Sequence, residues 1–276
     1  MPTTSLSKLV RRVSLCCALA LLGQGAAAQA VVRVNGTGGG TGGMHLLARA
    51  FMQAHPDIKV EVRASVGSSG SIGALINRQI ELAVSNRKPR GGELARQPLV
   101  SVEYARTPFV VAVSKNLGIT ELTSAQLAGL YAPGPARFPD GTRARPVLRR
   151  SDAGDTELLK SFSPEVAKAV DGASQRRGML NANTDSEAAD MIERTTGAFS
   201  VSTLALIESE NRPLVALAID GKAPTVANLA NGTYPYQKSL YLVISADAGG
   251  NTQLFTAFVQ SAAGRALLRA HGHAPV

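Results

Sequence analysis

Between Val31 and Met52 the sequence reads VVRVNGTGGGTGGMHLLARAFM, an apolar alternation of period two, then a glycine and threonine run, then Met44, Leu47, Ala48, Phe51 and Met52 at helical spacing. A chain that changes period across a glycine-rich junction is committed to strand, turn and helix in that order. The pattern recurs at once: DIKVEVRAS is strand-like, GSSGS follows, and IGALINRQ puts Ile72, Leu75 and Ile76 on one helical face. Further strands are expected at IELAVS, TPFVVAVSKN, RPVLRR, GAFSVSTLAL and KSLYLVIS. Helices are expected at LTSAQLAGLYAPG, TELLKSF, the Thr184-capped DSEAADMIERT and the amphipathic NTQLFTAFVQSAAGRALLRAHG. This alternation predicts an α/β fold built on open sheets.

Residues 1–30 have a different character. Lys8, Arg11 and Arg12 precede an apolar run from Val13 to Leu22, and a small-residue tail offers cleavage after Ala28 or Ala30. That is the layout of a secretory signal peptide, with an apolar run shorter than the roughly 20 residues that span a bilayer. The chain is therefore expected to be exported. Cys16 and Cys17 both fall in the leader, so no disulfide or cysteine-ligated metal is expected beyond it, and Leu15 before Cys16 is unsuited to a lipid anchor. Beyond the leader, 26 Lys plus Arg face 20 Asp plus Glu, a mild preference for anionic partners. Seven Phe, five Tyr and no Trp leave few platforms for stacked bases or sugars, which argues against nucleic acid.

A glycine- or serine-rich turn that opens a helix presents unpaired backbone N–H groups, and the helix dipole adds partial positive charge. Three such junctions occur here, with Thr41, Ser68, Ser69 and Thr156 as hydroxyl donors and Arg150 as a bidentate one. Gly38, Gly40 and Gly43 also meet a dinucleotide-binding spacing, with Glu61 at the following strand, but glycine-rich runs match such patterns readily. The phosphate-loop pattern fails, because no Gly-Lys-Ser/Thr follows. For catalysis, His45, His55, His271 and His273 stand in no catalytic spacing, and the terminal His-x-His reads as a solvated tail rather than a metal site. No enzyme activity, cofactor or metal is expected.

Taken together, GTGGGTGG, GSSGSIGALINRQIELAVSNRKPR, TPFVVAVSKN with LTSAQLAGLY, RRSDAGDTE and LAIDGKAPTVANLANGTYPYQKSLYLVIS resemble the periplasmic phosphate-binding proteins that serve phosphate ABC importers. The resemblance covers nearly all of residues 31–276. It implies a two-lobed periplasmic solute-binding fold with a central ligand cleft and two hinge strands, FVVAV and LYLVI. Lobe 1 would comprise residues 31–110 plus 240–276, and lobe 2 residues 111–239. It further implies a monomer in the periplasm that holds phosphate or a related tetrahedral oxyanion and delivers it to an ABC permease.

The resemblance places Thr41 and the Gly42 backbone at the first junction, Ser68 beside Ser69 at the second, and Arg150 with Thr156 in the second lobe. Two positions depart from the family pattern. Asn86, followed by Arg87, stands where an aspartate accepts the proton of hydrogen phosphate, and Gly154, Asp155 and Thr156 stand where Ser-Gly-Thr is usual. Two like charges about 4 Å apart cost roughly 4 kcal/mol at an effective dielectric near 20, so Asp155 cannot simply face a bare anion. Either it caps its own helix or pairs with Arg149, or it takes over the acceptor role that Asn86 cannot fill. The altered loop also leaves open a divergent secreted sensor or scaffold that has lost transport.

Overall fold

The computed structural model describes residues 30–150 and 154–276; the leader through residue 29 and Asp152 lie outside the described residues. β1 (Ala30–Gly36) runs parallel to β2 (Ile58–Val62) on one side and β3 (Leu82–Ser85) on the other. The crossovers are α1 (Gly38–Ala54) and α2 (Gly67–Ile76). Alternation along β1 buries Val32 and Val34 against Met44, Leu47 and Phe51 of α1. The same core takes Leu240, Leu242, Phe255 and Val259 from far along the chain, so the end of the sequence returns to the first lobe.

β4 (Leu99–Ser114) organises the rest. Its first part pairs with β11 (Gln237–Ser245), from Leu99 opposite Ser245 to Pro108 opposite Gln237. From Phe109 onward it pairs instead with β8 (Ala198–Thr203) and β9 (Leu214–Ala216). β6 (Arg145–Arg149) extends the sheet from β8 and β7 (Leu180–Ala182) follows it, while β5 (Glu121–Leu122) and β10 (Ala218–Ile219) form a separate pair. One continuous strand thus belongs to two lobes. The strand is longer than the stretch expected from Thr107, and the crossing falls just ahead of FVVAV on β4 and of LYLVI on β11.

The second lobe has its own core, in which Phe199 meets Tyr131 and Phe138 edge-on at centroid separations of 5.1 and 5.6 Å. Its helices start where capping chemistry says they should. Thr123 and Gln126 form a capping box on α4 (Ser124–Leu130). Ser163 and Pro164 open α6 (Pro164–Ser174), after α5 (Gly154–Lys160), while Thr184 caps α7 (Asp185–Arg194) and Thr203 caps α8 (Leu204–Ser209). Thr225 caps α9 (Val226–Ala230), and α10 (Gly250–Gln260) and α11 (Ala262–Arg269) close the first lobe. Among the described residues no helix is long and apolar enough to cross a membrane.

Two local expectations change. The glycine run is helix rather than loop: α1 begins at Gly38, and its first turns press against the second lobe. A Cβ on Gly42 would stand 2.1 Å from Ser209 Oγ, and one on Gly38 2.9 Å from Asp185 Cβ. These glycines buy close helix packing. Gly42→Ala is therefore expected to destabilise by about 1–3 kcal/mol through overpacking, although alanine is the better helix former by about 1 kcal/mol; urea unfolding of the variant checks the sign. The second change is at the C-terminal end. His273 is fully buried rather than a solvated tail, because β12 (Ala274–Pro275) pairs with β4 and draws it in beside Gly43.

Candidate functional site

Between the lobes lies a cleft of about 1090 Å³. Its first-lobe wall carries Thr37, Ser68, Ser69, Asn86 and Arg87, its second-lobe wall Arg149, Arg150, Gly154, Asp155 and Asp185, and β11 adds Lys238. The floor is a cluster of four buried charges. Lys238 Nζ lies 2.5 Å from Asp155 Oδ1 and 3.3 Å from Asp185 Oδ1. Arg149 Nε lies 3.3 Å from Asp155 Oδ2, and its Nη2 3.4 Å from Asp185 Oδ1. Asp185 also spans the lobes: its Oδ2 accepts from the Thr37 hydroxyl at 3.2 Å and from the Gly39 N–H at 3.3 Å.

The two carboxylates sit differently. Burial penalises ionised Asp185, yet Lys238 and Arg149 outweigh it and hold the group well below the usual carboxylate range. Burial pushes Asp155 upward and the neighbouring Asp185 adds to the shift, which Lys238 and Arg149 only partly offset. Lys238 loses hydration too, but the two carboxylates keep its ammonium above its ordinary value. Asp185 is thus the firmly ionised member of the pair.

Arg149 is paired with both carboxylates yet keeps donors to spare. Its side chain is 9% exposed and Nη2 donates to the Asn183 carbonyl at 3.3 Å, yet neither Nε nor Nη1 has a hydrogen-bond partner among the described residues. A buried guanidinium with donors left over is costly unless something else accepts from them.

The residues expected from sequence divide by position. Ser68 lines the cleft, donating to Asn86 Oδ1 at 2.7 Å while its oxygen accepts from the Asn86 N–H at 2.9 Å. Arg87 lines it as well, but its guanidinium is held by Glu93 of α3 (Gly91–Leu94) at 2.7 and 2.8 Å, with a further bond to Ser69 Oγ at 3.0 Å. Arg150 and Gly154 lie on the second-lobe wall. Of the alternatives open for Asp155, the ion pair with Arg149 is present, with Lys238 as a second and nearer cation.

Thr41, Gly42 and Thr156 are not on the cleft wall. The Thr41 hydroxyl donates back to the Gly38 carbonyl within α1, Gly42 packs against Ser209, and the Thr156 hydroxyl donates to the Arg150 carbonyl. The residue that α1 does present is Thr37, just before its first turn. Lys238 and Asp185 were missed from sequence. Lys238 had a signal: it is in phase with Leu240 and Leu242, on the buried face of its strand.

Among the described residues no cluster of His, Cys, Asp or Glu is arranged to hold a metal.

Two α/β lobes joined by crossing strands around a polar, cation-lined cleft define a two-lobed solute-binding protein. A family model described as PBP superfamily domain matches residues 23–263, and the chain belongs to that family. It is 22% identical over 218 residues to the phosphate-binding protein PstS of Bacillus subtilis (strain 168), covering 78% of this chain and 70% of that protein. Among solved structures, a substrate-binding protein from Clostridium perfringens with bound phosphate superposes with a TM-score of 0.70 at 18% identity, over 89% of this chain and 99% of that one. An ABC-type phosphate transport receptor from Vibrio cholerae gives 0.56 at 22% identity, over 88% and 99%.

Proposed function

We propose that this chain is an exported, monomeric binding protein that takes phosphate or a related tetrahedral oxyanion into the interlobe cleft and delivers it to an ABC permease, without covalent chemistry. In this reading residues 31–110 and 240–276 act as one lobe and residues 111–239 as the other, in the periplasm. The observation that carries the proposal is Arg149, a buried guanidinium in the cleft wall with donors unused. Ser68, Asn86, Arg150 and the Gly154 backbone stand around the same space. The phosphate named for the relatives from Bacillus subtilis and Clostridium perfringens supports the choice of anion.

The test is titration calorimetry of the chain after its ligand has been stripped by unfolding and refolding. Saturable heat with phosphate is expected, and Arg149→Gln is expected to weaken it at least tenfold, the loss of one charge-assisted hydrogen bond of about 1.5–3 kcal/mol. If neither phosphate nor sulfate gives heat or raises the melting temperature, the assignment fails and the sensor or scaffold reading takes its place.

A further inference from the structure

We propose that Asp185 is a resident anion: a side-chain carboxylate of the second lobe that fills the first-lobe donor set and holds the lobes together before any ligand arrives. This rests on the reading of the cleft as an oxyanion site and concerns how that site is set. The donors at the start of α1 are the Thr37 hydroxyl and the Gly39 N–H, and both already point at Asp185 Oδ2. The other oxygen faces Lys238 and Arg149. One carboxylate therefore meets four donors from three parts of the chain: α1, the end of β6 and the start of β11.

In a cleft of this kind, donors on facing lobes are normally left for the ligand, whose arrival draws the lobes together. Here the chain supplies the negative charge itself. Asp185 is the first residue of α7, fixed there by the Thr184 cap, and its side chain is 3% exposed. It cannot move aside without leaving Lys238 and Arg149 short of a counter-ion.

Two consequences follow. With Asp155 and Asp185 balancing Arg149 and Lys238, an incoming oxyanion meets a floor of little net charge. It must bind on the outer side of the cleft rather than at the α1 terminus. Asp185 is then a specificity-determining residue, because it lowers the affinity of the site for small, highly charged anions. The lobes are also tied before binding, so ligand uptake should change the overall shape little.

Asp185→Asn keeps the size of the side chain and an acceptor for Thr37 and Gly39 while removing the charge. Asp185→Ala removes the tie altogether. Titration of inorganic phosphate into wild type and Asp185→Asn is expected to show at least tenfold tighter binding in the variant. X-ray scattering without ligand is expected to give a larger radius of gyration for Asp185→Ala than for wild type, whose radius phosphate leaves unchanged. Unchanged or weaker phosphate binding by a folded Asp185→Asn, or an unchanged radius for Asp185→Ala, would overturn the proposal. Should Asp185→Ala fail to fold, Thr37→Val removes one of the interlobe donors without disturbing a buried charge, and the same increase in radius, smaller in size, is required of it. If neither wild type nor Asp185→Asn takes up phosphate, the phosphate reading fails, and the ligand-free scattering alone decides the role of Asp185.

Discussion

Replacing Lys238 by alanine is expected to cost the fold about 3–5 kcal/mol, the usual result of removing one member of a buried ion cluster. The reason is the company it leaves behind. Asp155 and Asp185 would be left on the cleft floor with Arg149 between them, and Asp155 would lose its nearest counter-charge among the described residues, now 2.5 Å away. A loss of that size is a large part of the 5–15 kcal/mol that typically holds a domain together. Its pH dependence identifies the cause. Burial already raises the folded-state pKa of Asp155 above its unfolded value, and without Lys238 it loses its largest offsetting charge and rises further. The penalty is then complete above the raised value and fades as pH falls toward the ordinary carboxylate range near 4. Urea unfolding of wild type and Lys238→Ala at neutral and acid pH should show the gap between them closing on acidification. A gap that stays constant would mean that the packing of the lysine stem matters more than its charge.

The second large effect is expected at His273. Its Nδ1 lies 2.7 Å from the His271 carbonyl and so carries the proton, while Nε2 is buried beside Gly43 with no hydrogen-bond partner among the described residues. Burial pushes the imidazole down to about 4. A folded value below the ordinary 6.5 means the unfolded chain binds the proton more readily. The contribution is complete above about pH 6.5 and is lost as pH falls toward 4, by about 3 kcal/mol in all, at close to 1.4 kcal/mol per pH unit. Between pH 6.5 and 5 this contribution adds to a smaller one of the same sign from His45 and opposes that of the raised Asp155, and the variant isolates it. His273→Leu should flatten the stability curve there; an equally steep variant would remove His273 from the account.

The sequence made the α/β alternation legible because periodicity is local. A two-residue period at Val31–Val34 and a helical one at Met44–Met52 identify both elements without knowledge of what they touch. Ser68 and Asn86 were legible for a similar reason, since Ser68 stands where a helix opens after a recognisable strand and Asn86 directly follows one. The floor of the cleft was not. Asp185 reads as an ordinary first-turn acid behind a threonine cap, and only folding brings it to Gly39 and Lys238, far away in the chain. The glycine run misled for a physical reason: glycine serves a phosphate cradle and a tight helix contact equally well, and only the neighbours, Ser209 among them, tell which is needed.

The crossing of β4 between lobes also says where the molecule can bend. Ala105 and Arg106 are gripped on both edges, by β11 and by β12, and from Phe109 onward β8 takes over the pairing. Between these stretches stand Thr107 and Pro108, paired on one edge only, with Lys238 and Gln237 of β11. The Thr107 hydroxyl donates to the Gly272 carbonyl and its oxygen accepts from the Ala205 N–H, so it is stapled to the C-terminal segment and to α8 together. The molecule therefore has an elbow two residues long rather than a pliant neck. Any rotation of one lobe against the other must strain or release that staple, which makes the Ala205 amide a local gauge of opening in hydrogen exchange.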